Sequence, residues 1–133
     1  MNWKILLLLI SAVLLTPGCE SMKAKKMPCN DVDVPIRFKH EIAILQADMR
    51  SVGAERKFRA ARVLYQNVDF TFARDTDILL TIFGTKDARR AKVLDNETLV
   101  FQYTWNNQYI RFAFMGIKDV ITHAEVKHDT IRK

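Results

Sequence analysis

The chain has 133 residues and a net charge of +6, enough for one domain with a modest core and too little for several. Its four glycines stand far apart, at 18, 53, 84 and 116, which excludes a phosphate-cradling glycine-rich loop and a nucleophile elbow. Its two cysteines, three histidines and fifteen acidic residues form no cluster with metal-ligand spacing.

The first element is MNWK followed by an unbroken apolar run from Ile5 to Leu15. One positive charge ahead of an apolar stretch of this length describes a secretory signal. The run is too short to span a bilayer, which takes about 20 apolar residues, and a buried core helix would carry a polar face that this segment lacks. Residues 1–18 therefore read as a signal peptide. Thr16, Pro17 and Gly18 place Cys19 at the start of the exported chain. Removing 1–18 takes away only the charge of Lys4, so the remainder stays basic. Ten bases face six acids between Cys19 and Arg62, against ten and nine from Val63 onward. A basic segment near a membrane fits an anionic headgroup surface or an acidic protein face. Nucleic acid is not an expected partner of an exported chain.

Residues 19–35 read as a polar tether, with Pro28 and Pro35 and no apolar period. A disulfide between Cys19 and Cys29 is open on sequence grounds, since an exported chain with an even cysteine count permits one. A helical segment covers 36–67. In it, Phe38, Ile42, Leu45, Met49 and Val52 recur at spacings of four and three, the stripe of an amphipathic helix over Ile36 to Val52. Gly53 reads as a break or C-cap. A second piece follows from Glu55 to Tyr65, and it carries Arg56, Lys57, Arg59 and Arg62. These four read as a solvated face or as a basic patch for a membrane or a partner. The stripe itself fits packing on the protein's own sheet or docking of a partner.

Residues 68–130 read as a sheet domain. Val68 to Phe72 alternates as an extended lead-in. Asp75 or Thr76 can N-cap a short helix whose apolar face is Ile78, Leu79, Ile82 and Phe83, stopped by Gly84. Three strands are expected next. Leu99, Phe101, Tyr103 and Trp105 share a face of the first, and Ile110, Phe112 and Phe114 a face of the second. Val120, Thr122, Ala124 and Val126 alternate with Ile121, His123 and Glu125 in the third. The links are short, so the sheet is expected to be an antiparallel meander. Trp105, Asn106 and Asn107 sit at its first turn and are the candidate protein-contact residues. No catalytic residue, cofactor or metal is expected: His40-Glu41 begins a zinc-protease pattern, but Ile44 stands where the second histidine belongs, and His123 and His128 point to opposite faces.

Two resemblances add to this reading. Leu15-Thr16-Pro17-Gly18-Cys19 resembles the lipobox of bacterial lipoproteins, with the leucine one place early and Pro17 where a smaller residue is usual. It implies triacylation of Cys19, and Glu20 in place of an aspartate leans toward the outer membrane, facing the periplasm. The helix ending IFGTKD, the strands LVFQYTW and YIRFAF, and VITHAEVK together resemble the SmpA/OmlA (BamE-like) family of small outer-membrane lipoproteins over about residues 69–127. Thr76, Phe83-Gly84, Tyr103, Trp105 and Phe112 match, and Lys86 stands where the family tends to have proline. The resemblance implies an α+β fold, with the N-terminal helices and the short capped helix packed on one face of a three-stranded antiparallel meander. It implies a non-catalytic envelope scaffold or accessory that binds other envelope proteins, as in outer-membrane protein assembly, and takes no small-molecule substrate. The alternative from the residues is a soluble secreted inhibitor or ligand-binding module closed by a Cys19–Cys29 disulfide.

Overall fold

A computed structural model describes residues 25–131. The expected signal peptide and Cys19 lie outside this range. Helices and an antiparallel sheet make up a mixed α+β domain. Strand β1 (Met27–Pro28) opens it and pairs in parallel with β2 (Val68–Asp69). Between them run helices α1 (Val34–Arg37), α2 (Lys39–Gln46) and α3 (Met49–Asn67). A 3-10 turn (Phe70–Phe72) and helix α4 (Thr76–Phe83) lead to the sheet of β3 (Arg89–Val93), β4 (Asn96–Trp105), β5 (Gln108–Ile117) and β6 (Val120–Thr130), in that spatial order.

The single helix expected over 36–52 is in fact several pieces. Phe38 leaves helical geometry at φ −109°, and Ala47 turns extended at ψ 161°. Asp48 then caps α3, its carboxylate accepting from the Arg50 N–H at 3.1 Å. Phe38, Ile42 and Leu45 keep the predicted buried stripe, while the break at Ala47 rotates Met49 out to 40% exposure. Gly53 interrupts α3 at φ 81°, ψ 161°. A Cβ there would meet nothing within 4 Å, so the backbone conformation, essentially closed to other residues, is what requires glycine. Helix α4 is punctuated as its sequence implies. Asp75 accepts from the Ile78 N–H at 3.1 Å, and Gly84 ends the helix at φ 75°.

The sheet has four strands, not three. Strand β3, RRAKV, is exposed at all five positions, so it shows no apolar alternation for a period-two pattern to detect. It joins β4 through Leu94-Asp95, with Leu94 at φ 57°. The β4–β5 turn is Asn106-Asn107, both at positive φ (52° and 61°), as a primed two-residue hairpin turn demands. Leu99, Phe101, Tyr103, Ile110, Phe112 and Phe114 all face the core. In β6 the expected alternation changes phase. Gly116 pairs with Ile121 but Met115 pairs with His123, leaving Thr122 as an extra residue. This bulge lets Ile121 face inward on one side, and Ala124 and Val126 on the other. Gly116 sits at the bulge because a Cβ there would lie 1.9 Å from the Val120 carbonyl oxygen.

One core runs from Cys29 to Ile121. Phe83 of α4 stacks on Phe101 (centroids 4.5 Å apart) and leans on Phe112 at 4.8 Å. Phe70 meets Phe112 at 5.1 Å. Each such ring contributes roughly 1.5–3 kcal/mol by burial. The boundaries expected at 35/36 and 67/68 do not divide this core. Cys29 and Val34, placed in the tether by their polar surroundings, are 3% and 0% exposed, and the Cys29 N–H donates to the Asp69 carbonyl at 3.0 Å. Among the described residues the domain therefore reaches back to β1.

Candidate interaction surfaces

The sequence-predicted site residues fall in separate places. Trp105, Asn106 and Asn107 form the tip of the β4–β5 hairpin. Trp105 is 42% exposed, and the Asn107 carbonyl accepts from the Ile131 N–H at 2.7 Å, tying the residue after β6 to the tip. Next to this tip, on the sheet face away from the core, lies an open depression of about 620 Å³ lined by Gln102, Tyr109, Arg111 and Lys127. Arg111 Nε donates to Gln102 Oε1 at 2.9 Å, with its guanidinium 5.0 Å from the Tyr109 ring centre. Lys127 Nζ is 3.7 Å from Asp129. The floor is thus a set of mutually satisfied polar groups on a shallow surface.

The basic run on α3 needs correction. Arg56, Arg59 and Arg62 are exposed, spaced three apart along the helix, and Arg59 donates to Glu55 Oε1 at 2.7 Å. Lys57 does not join them. It is fully buried, donating to the Leu45 carbonyl at 3.1 Å and paired with the Asp87 carboxylate. The reason is helical phase: position 57 shares its face with Ala61 and Leu64, both 0% exposed, so it lies on the inward stripe. That spacing was present in the sequence, but the run of charges hid it. The Leu45 carbonyl is one of those left unpaired at the C-terminal end of α2, so Lys57 caps α2 from α3. Gln46 does the same for α4, its Nε2 donating to the Thr81 carbonyl and, at 3.5 Å, to that of Ile82.

Two buried weak acids, Cys29 and Tyr103, have no base beside them among the described residues to activate them. Burial pushes the Cys29 thiol up from its ordinary 9.0 to about 11, helped by the negative charge of Asp69, so it packs as a thiol and not as a nucleophilic thiolate. Burial, and then Asp87, hold the Tyr103 hydroxyl above the usual phenol range. That hydroxyl has no hydrogen-bond partner among the described residues. His123 pairs with Met115 on the outer face of the sheet, and His128 pairs with Ile110 on the core side. His128 lies 2.9 Å from Gln108 Oε1, between the edges of Phe58 and Tyr65. Among the described residues no group of three or more His, Cys, Asp or Glu side chains is placed to hold a metal, and no helix is long and apolar enough to cross a membrane.

No family model, no curated protein and no solved structure matches this chain.

Proposed function

We propose that the protein is an exported bacterial lipoprotein, anchored at Cys19, that acts as a non-catalytic envelope accessory binding other envelope proteins. The observation that carries this reading is the Gly18-Cys19 junction behind the apolar run from Ile5 to Leu15. The pairing of β1 at Met27 supports it, because the six residue steps from Cys19 to Lys25 reach at most about 20–22 Å. The domain is then held close to the bilayer, not at the end of a long tether. Two or more acyl chains give stable anchoring, at about 0.8 kcal/mol per buried CH₂. Attachment to the outer membrane, facing the periplasm, is the proposed location, and BamE-like packing of the helices on one sheet face is the proposed kinship. Protein binding, in preference to catalysis, is supported by an outer sheet face that no described element covers and an exposed hairpin tip at Trp105, Asn106 and Asn107.

The intact mass of the chain from membrane and soluble fractions of its native host tests the anchor. A triacyl adduct on Cys19 in the membrane fraction, lost with Cys19→Ala, is the expected result. An unmodified mass two hydrogens light in the soluble fraction would mean a Cys19–Cys29 disulfide and a secreted binding module. Pull-down of the chain in detergent tests the protein-binding role, and recovery of the chain alone would end it.

A further inference from the structure

The two edges of the main sheet differ. At β6 the outer side is covered at its start, where Asp75 bridges Val120 and the Ile121 N–H donates to the Arg74 carbonyl at 2.9 Å, and beyond that its side chains carry both signs, with Glu125, Lys127 and Asp129. At β3 nothing described pairs with the outer side. In an antiparallel ladder, alternate residues turn their N–H and C=O away from the neighbouring strand, so an edge strand offers a row of unpaired backbone groups. All five residues of β3 are exposed.

Its side chains state what can pair there. The register with β4 sets Arg90 and Lys92 on the side of Leu99 and Glu97, and Arg89, Ala91 and Val93 on the side of Val100, Thr98 and Asn96. Only Arg90 meets an acid, Glu97 at 3.6 Å, and Arg90 stays 48% exposed. Among the described residues no carboxylate pairs with Arg89 or Lys92. A second copy of the chain is a poor partner. Antiparallel self-pairing about Ala91 sets Arg90 opposite Lys92 twice, and like charges directly opposite destabilise a ladder. The apolar residues tell a different story: Val93 (69% exposed) stands in one cross-strand row of the outer face with Asn96, Ile117 (50%) and Val120 (60%), and an added strand carrying β-branched residues would cover Val93 at the end of that row.

We infer that the β3 edge is a strand-addition site for an acidic extended segment of a partner protein. In that segment, carboxylates stand opposite Arg90 and Lys92 and alternate with aliphatic residues opposite Ala91 and Val93. Backbone hydrogen bonds supply the affinity and the alternate side chains the selectivity. The cations at this edge then have two consequences of one cause: they repel a second copy and admit an oppositely charged strand. This deepens the protein-binding reading above and rests on it only in taking the partner to be a polypeptide. The anchor is read separately, by mass at Cys19.

The test is fluorescence anisotropy of the full chain in neutral detergent with a labelled short peptide alternating glutamate and valine. The same peptide is also made in two forms, each N-methylated at alternate residues. Only one set of its amides faces β3, so one methylated form loses binding and the other keeps it. Arg90→Glu with Lys92→Glu, both exposed, weakens the parent peptide roughly tenfold, two cross-strand ion pairs being lost and two repulsions gained. Equal binding of both methylated forms would reduce the site to ionic attraction and overturn strand addition, while leaving protein binding standing. Failure of the parent peptide to bind would overturn it too. So would a chain that sediments as a dimer dissociated by the double substitution, which would assign the edge to a second copy.

Discussion

The Lys57–Asp87 pair is expected to behave as a buried ion pair, and a double-mutant cycle measures it. Lys57 is 0% exposed and Asp87 18%. Asp87→Asn keeps the shape but leaves the ammonium buried with the Leu45 carbonyl, 3.1 Å away, as its remaining partner. Breaking a buried pair from one side costs about 3–5 kcal/mol. The partial exposure of Asp87 admits some water, so the low end, about 3 kcal/mol, is expected. Lys57→Met removes the buried charge. It leaves the Leu45 carbonyl unpaired at about 1–3 kcal/mol, partly offset by added apolar contact, for a net loss of about 1 kcal/mol. Once Lys57 is methionine, Asp87→Asn should cost almost nothing more, so the coupling between the two sites is about 2–3 kcal/mol. Urea unfolding followed by far-UV circular dichroism, extrapolated to water, provides all four values. A cost for Asp87→Asn below about 0.5 kcal/mol would show surface-pair behaviour. Strict additivity in the double mutant would likewise refute the buried-pair argument.

Three further outcomes follow from the same geometry. Cys29 has a folded pKa raised from 9.0 to about 11, so above pH 9 the unfolded chain releases a proton that the folded chain retains. Stability is therefore unaffected by this group below pH 9 and falls as pH rises from 9 toward 11; Cys29→Ala flattens that slope, and iodoacetamide labels the native thiol far more slowly than the urea-unfolded one. Gly116→Ala forces a Cβ to within 1.9 Å of the Val120 oxygen and is expected to cost more than about 3 kcal/mol, whereas Gly53→Ala, with open space around it, costs about 1–3 kcal/mol of backbone strain; comparing their urea midpoints ranks the two. Replacing both Asn106 and Asn107 by alanine at φ 52° and 61° should cost about 1–2 kcal/mol per residue, while Asn107→Gly should be neutral or stabilising, read by thermal melts.

The local devices are legible in short stretches of the chain. The caps at Asp75 and Gly84, the Asn106-Asn107 turn, the inward faces of β4 and β5, and the stripe of Phe38, Ile42 and Leu45 are all set by residues within a few positions of one another. Other features depend on contacts between residues far apart in the chain. Strand β3 is hydrogen-bonded into place by β4, yet its side chains stay in water, so it carries no apolar signature. Cys29 and Val34 sit in a polar stretch, but pairing of β1 with β2 draws them into the core. Lys57 stands in a run of cations, and its burial follows from the face it shares with Ala61 and Leu64 and from an aspartate thirty residues away. Helical phase, strand pairing and a distant counter-charge decided these positions, because a charged or polar residue reports its burial only through the partner that neutralises it.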